Sequence, residues 1–392
     1  MLTAEPPPPG RFDFGLSPAE EERAARLHRD SIIVDLLSQH AGGNIFAHYP
    51  ESLQTDFHDK LKTLGSGFAA FDDVSYWPYE MSKLERSHLI RDWFLASGLT
   101  CGTYIVDVHD GRDPEANKQD LRAARYSDLP WLRYVTTAAE IRQAKREGLV
   151  AFYGHCQPVS PTPRDLNAFD AAYAKGLRSF MLTYNRMDNI GVGCTERVDA
   201  GLSMFGIDVV GHCNDIGMIV DVSHCGHLTT MDACRHSKKP VNANHTSAQS
   251  VYFHARGKSN EALRAIADTG GVIGVVAVPF FLSGDNSPTI ERMLDHIDYI
   301  ASLVGWQHVA IGTDWPLQAP DDVLKRVLAS EEQKIGFRSQ DKLDVTQRLV
   351  GFDDVRDLPN ITRGLLSRGY YDEQIRGILG ENALRVFSEV CG

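Results

Sequence analysis

No run of apolar residues in this sequence approaches the ~20 needed to span a bilayer. None of its seven cysteines pair at CxxC spacing. The first absence argues against a membrane-spanning helix. The second, with an odd cysteine count, argues against a zinc ribbon or a disulfide framework and points to a reducing, cytoplasmic setting. Lys and Arg number 40 against 52 Asp and Glu, and they form no stripe, so the formal charge of −12 speaks against a nucleic-acid partner. Met1 to Phe12 is Pro-rich with no apolar core, unlike a secretory signal. Residues 1–16 are expected to be an arm, disordered or packed on a neighbouring subunit, ahead of a single unit over 17–392.

What is present is alternation. Ser31–Leu36, Thr100–Val108, Leu149–Tyr153, Leu177–Tyr184, Met218–Ser223, Pro240–Asn244, Val272–Val278 and His308–Thr313 are short apolar, β-branched runs. Runs without polar alternation fit strands buried on both faces of a parallel sheet. Between most of them lie helical patterns with start signals, such as Ser17-Pro18 before Glu20-Glu21-Glu22, and Thr137 before Ala138–Glu147. Eight strand–helix units predict an α/β fold, a (β/α)8 TIM-type barrel with insertions and a helical C-terminal extension over 359–387. The long stretch from His40 to Tyr79 reads as an irregular lid or binding loop.

In such a barrel, chemistry sits where the strands end. The fifth and sixth runs end in His224 and His245, and the eighth ends in Asp314. Two imidazoles and a carboxylate on one rim are a donor set for a metal such as zinc; the plainer reading is that each residue caps its strand. Arg256 suits bidentate capture of a substrate carboxylate, or else a surface ion pair. His155 and the pair Tyr184-Asn185 follow other strands and would polarise a substrate carbonyl or hold loops. Asp107, His109 and His40 are further rim donors. Tyr153 and Tyr184, with apolar Leu37 and Phe152, would make the pocket dry.

Asp221-Val222-Ser223-His224, Asn244-His245-Thr246-Ser247-Ala248, Arg256 and Ile311-Gly312-Thr313-Asp314 together resemble the membrane (renal) dipeptidase family of the amidohydrolase superfamily. Gly201–Gly206 is similar to that family's segment before the fifth strand. The resemblance runs from Ser31 to the C-terminus. It implies a metal-dependent barrel, often dimeric, that hydrolyses dipeptides with two zinc ions.

It implies that His224 and His245 ligate one zinc, that Asp314 belongs to the other, and that Arg256 meets the substrate carboxylate. The family's first-strand His-x-Asp ligand pair falls on Leu37 and Gln39, its bridging glutamate on Phe152 or Tyr153, and the histidine after its fourth strand on Tyr184. Leucine cannot ligate, and two cations ~3.5–4 Å apart need a bridging anion. The expectation is therefore one zinc or similar divalent ion, on His224, His245 and Asp314, in a homodimer or higher homo-oligomer.

On this reading the protein is a dipeptidase-like hydrolase of a small carboxylate-bearing substrate. Asp314, His155 and Tyr184 are catalytic, while Arg256, Tyr153 and Asn185 bind substrate. The alternatives are a lyase, decarboxylase or isomerase on the same scaffold, and a binding homologue without catalysis.

Overall fold

The computed structural model describes residues 10–65, 67–109, 126–159, 161–328 and 335–392. Within them, strands β1 (Cys101–Ile105), β2 (Leu132–Tyr134), β3 (Val150–Cys156), β4 (Leu177–Met181), β5 (Ile219–Asp221), β6 (Val241–Thr246), β7 (Ile273–Val275) and β8 (Val309–Ile311) form one parallel sheet. Its order is β1-β3-β4-β5-β6-β7-β8, with β2 added beside β3. Val34 bridges Cys101 and Asp35 bridges Ile311, so the Ser31–Leu36 run closes the sheet into a barrel. This is a parallel α/β barrel, and the predicted eight-unit alternation is its basis.

Two details differ from the strand reading. The first run makes only those two bridges, because each of its edges is met by a different neighbour for a single residue. The third strand runs on to Cys156. Its lower half pairs with β2 (Leu132 opposite Val150) and its upper half with β4 (Cys156 opposite Phe180). A three-residue strand containing Arg133 carries too little pattern to be seen in the sequence.

Alternation along β3 sorts its side chains. Ala151 and Tyr153 face the barrel interior with Val34, Leu36, Cys101, Ile219 and Ala310. Phe152 faces outward and meets the ring of Phe94 at 5.5 Å. The floor of the barrel is sealed by the C-terminal helix Asn382–Cys391, whose Ala383, Leu384 and Phe387 join the interior cluster.

Local signals set the helices. Ser17 and Thr137 each form a capping box with the glutamate three residues on, Glu20 and Glu140. Gly98, Gly148 and Gly217 end their helices in the left-handed region that glycine tolerates.

The His40–Tyr79 stretch is not irregular. It folds into a 3-10 turn, Ile45–His48, and helices Glu51–Lys62, Phe68–Ser75 and Trp77–Lys83. Stacking of Phe46 on Phe57 at 3.9 Å, with Trp77 beside both, holds them together. Of the N-terminal arm, Met1–Pro9 lies outside the described residues. From Gly10 on it packs against its own chain: Gly10 N donates to Asp357 Oδ1 at 2.6 Å and Phe12 N to Asn360 Oδ1 at 3.3 Å.

The barrel floor depends on a close approach at Gly380, where an added Cβ would lie 2.3 Å from the carbonyl oxygen of Ile32. Neither group is a flexible side chain, so the C-terminal segment would have to retreat from the floor. Gly380→Ala is expected to destabilise the fold by about 2 kcal/mol, read as a lowered midpoint in denaturant unfolding.

Candidate active site

The rim above β5 and β6 is organised by one buried carboxylate. Asp221 Oδ1 accepts hydrogen bonds from the amide and hydroxyl of Ser223 and from the amide of Asn244, at 2.9 Å for each amide. Ser223 Oγ in turn accepts from His245 N at 3.0 Å. The chain leaving β5 and the end of β6 are thus tied together, and their imidazoles meet. His224 Nε2 and His245 Nε2 lie 3.0 Å apart.

Asn185 Oδ1 accepts from His224 Nδ1 at 2.7 Å, which assigns the proton of His224 to Nδ1 and leaves its Nε2 lone pair facing His245. The ring of Tyr184 stacks on His224 at 4.1 Å. Burial lowers the pKa of both histidines well below 6.5, and the charges of Arg256 and Lys258 push the same way. Both rings are neutral at pH 7, the form in which imidazole ligates or accepts a proton.

Across the barrel mouth the same device recurs. Asp35 Oδ1 accepts from Thr313 N at 2.8 Å and Leu37 N at 3.2 Å, and its Oδ2 from Thr313 Oγ1 at 2.6 Å. Asp314 N then donates to Leu37 O at 2.8 Å. Asp314 sits at φ +50, a left-handed conformation uncommon outside glycine and common at functional sites. Its Oδ1 accepts from Gln39 Nε2 at 2.7 Å, and burial pushes its carboxyl up to about 6.

His224, Tyr184, Asp314 and Gln39 line one cavity of about 150 Å³. The rest of its wall is apolar, with Phe71 from the 40–79 insertion, Phe280 and Phe281 after β7, Trp315 after β8, and Phe337 and Leu343 from later in the chain. His245 stands behind His224, fully buried.

The other expected site residues lie elsewhere. Tyr153 is in the barrel interior, its hydroxyl donating to Leu36 O at 3.4 Å, and does not reach the cavity. His155 is also interior, with Nδ1 3.2 Å from Ser179 Oγ and Nε2 3.9 Å from Asp221 Oδ2. Because β3 extends to Cys156, the residues at its end are His155 and Cys156. Phe152 and Tyr153, where the bridging glutamate was placed, are mid-strand.

Asn185 holds His224 and does not line the cavity. Arg256 is 1% exposed, donating to Ser223 O at 2.5 Å and His245 O at 3.0 Å, and does not line the cavity; its Cζ lies 5.5 Å from the centroid of the Phe281 ring. The apolar wall was missed because Phe281, Trp315 and Phe337 come from segments far apart in the chain and share no local pattern.

The donor set can be weighed against a metal. Two imidazole nitrogens converge, one with its tautomer fixed by Asn185, and that fits one cation. Among the described residues, no three His, Cys, Asp or Glu side chains close around one point. Asp314 shares the cavity without completing such a group, and Leu37 and Gln39 supply no anion.

The family model described as membrane dipeptidase, peptidase family M19, matches residues 109–328 and 333–391. Among solved structures, an amidohydrolase from Pseudomonas aeruginosa is 26% identical, with 94% of this chain and 99% of that chain covered and a TM-score of 0.72. The probable dipeptidase PvdM from the same organism is 18% identical, covering 96% and 99%, with a TM-score of 0.69. A Rhodobacter sphaeroides metallopeptidase, liganded with a phosphinate mimic of the dipeptide L-Ala-D-Ala, is 18% identical, covering 92% and 100%, with a TM-score of 0.63. The last two show likeness of fold alone.

The depressed histidines set a pH dependence. Their folded pKa values lie below the ordinary 6.5, so at pH below 6.5 the unfolded chain binds more protons than the folded one. The stability contributed by the neutral pair is complete above 6.5 and falls as the pH drops through it. His245→Asn is expected to flatten that acid-side loss, measured as urea midpoints for both proteins between pH 7.5 and 5.

Proposed function

Because the chain belongs to the membrane dipeptidase family, peptidase family M19, whose members are metal-dependent dipeptidases, we propose that it hydrolyses an amide bond in a small dipeptide-like molecule with one divalent cation. The observation that carries this reading is the meeting of His224 and His245 at 3.0 Å beside a cavity that also presents the Asp314 carboxyl.

His224 Nε2 and His245 Nε2 would hold the cation, with zinc the natural choice for two neutral imidazoles. When bound, it supplies a Lewis acid for the substrate carbonyl and acidifies a water molecule. The protein's own groups do the rest. Asp314, raised to about 6 by burial, is poised to take the proton of the attacking water and return it to the leaving nitrogen. Gln39 Nε2 occupies its Oδ1, so the proton transfer falls to Oδ2. Burial keeps the Tyr184 phenol protonated far above neutral pH, which makes it a donor for the developing oxyanion. Asn185 keeps His224 in the tautomer that presents Nε2.

The apolar cavity wall favours a second reading on the same scaffold. General acid–base chemistry without hydrolysis, as in a lyase, decarboxylase or isomerase, prospers in a dry pocket. A binding homologue without catalysis is the third.

Protein purified without chelator is expected to carry up to one zinc per chain by mass spectrometry of its metals, and His224→Ala to lose it. On a dipeptide panel, Asp314→Asn is expected to lower kcat by about 10²–10⁴-fold with little change in KM. Metal content near zero that added zinc does not raise would defeat the single-cation reading. Absence of dipeptide turnover in the zinc-loaded protein would move the balance to the non-hydrolytic readings.

A further inference from the structure

His254 is a buried imidazole with both nitrogens occupied, each by the main chain of a different segment. Nδ1 accepts from Arg256 N at 3.1 Å, and Nε2 lies 3.1 Å from Asp341 O. An amide N–H can only donate and a carbonyl oxygen can only accept, so the lone pair is on Nδ1 and the proton on Nε2. Only the neutral ring satisfies both ends, because an imidazolium would turn an N–H onto the Arg256 amide. Burial, and after it the Arg256 charge, lower its pKa from 6.5, which keeps the ring neutral at pH 7.

The two ends lead to different parts of the site. At the Nδ1 end, Arg256 donates from Nη1 to Ser223 O and from Nη2 to His245 O, one carbonyl beside His224 and the other belonging to His245. At the Nε2 end, Asp341 closes a short turn: Arg338 N donates to Asp341 Oδ2 at 2.6 Å, and Asp341 N to Arg338 O at 2.9 Å. That turn lies between Phe337 and Leu343, both residues of the cavity wall. A second imidazole serves the segment after β7. Ala248 N donates to His296 Nδ1 at 3.0 Å, and His296 Nε2 lies 3.0 Å from Leu282 O, next to the wall residues Phe280 and Phe281.

We propose that His254 is a positioning residue with two separable tasks. Through Nε2 it seats the wall at Phe337 and Leu343. Through Nδ1 and Arg256 it seats the carbonyls of Ser223 and His245, and with them the imidazole pair. That the wall encloses substrate and the pair holds a cation is taken from the proposed function; the two-ended seating rests on the hydrogen bonds alone. A side chain that makes one of these bonds and not the other would loosen one part of the site and leave the other in place.

Two amide side chains divide the imidazole in this way. Asn presents an acceptor where Nδ1 stood, and Gln presents a donor where Nε2 stood. Amide hydrogen exchange, resolved by residue through fragmentation in the mass spectrometer, reads both ends in the full chain without added metal. In His254→Asn the Asp341 and Lys342 amides are expected to exchange about fivefold faster, with the Arg256 amide near wild type. In His254→Gln the pattern is expected to reverse. His254→Ala is expected to speed both ends, and the Ala248 amide, bonded to His296, to stay unchanged in all three. Should His254→Ala fail to fold, the Asn and Gln variants, which keep one bond each, decide the matter.

Zinc titration of the same variants reads the consequence at the imidazole pair: affinity is expected to fall about fivefold in His254→Gln and to hold in His254→Asn. The proposal is overturned if the Asn and Gln variants are indistinguishable at both ends, if the Ala248 amide loosens with the rest, or if a zinc-binding wild type loses no affinity in His254→Gln. A wild-type protein that takes no zinc counts only against the proposed function, because the exchange pattern needs no metal.

Discussion

Asp221 is the constraint on which the rim depends. Its Oδ1 gathers the Ser223 amide and hydroxyl and the Asn244 amide, and the same hydroxyl receives the amide of His245. Strands β5 and β6 share only the two pairs Val220–Val241 and Asp221–Asn242, so backbone pairing alone would leave the chain beyond them free to splay. The carboxylate replaces the missing rungs of the ladder and brings two imidazoles within hydrogen-bond distance. A buried anion is costly unless hydrogen-bonded, and Asp221 offsets that cost on one oxygen while keeping the strand ends in register.

Asp35 repeats the solution on the opposite wall, joining the first run to the chain after β8. No cation is among the groups acting on it, and its carboxyl is pushed up to about 7. Asp35 is bonded through both oxygens, where Asp221 uses only Oδ1. One wall presents neutral imidazoles and the other the Asp314 carboxyl held by Gln39. The difference in wall chemistry arises from residues added to a common framework of carboxylates and backbone amides.

Much of this was legible in the sequence because it is local. The apolar runs, their breaks and the capping residues identified the barrel, and the Asp-x-Ser-His and Asn-His pairs marked the rim. What escaped is what depends on partners distant in sequence. Whether Tyr153 or His155 reaches a pocket turns on where β3 ends, and a shift of two residues moves a side chain one layer along the barrel axis. The burial of Arg256 follows from carbonyls of Ser223 and His245 that no spacing rule anticipates. The helices between His40 and Tyr79 are held by ring stacking within an aromatic cluster rather than by strong caps: neither Pro50 nor Tyr76 makes a side-chain cap bond.

The electrostatics of the rim bear on how many cations it accommodates. Arg256 and Lys258 are buried close enough to depress both histidines, and Lys258 Nζ is itself held by Cys225 O at 2.6 Å. These fixed charges already make the surroundings of the imidazole pair positive. A first divalent ion there gains two lone pairs, and the Asp314 carboxylate shares its cavity. A second ion would meet Leu37 and Gln39 where it needs anions. The amide of Gln39 retains one function that a carboxylate at that position could not: it donates to Asp314 at 2.7 Å instead of repelling it. The amide thus supports the one carboxyl group that the described residues present to this cavity.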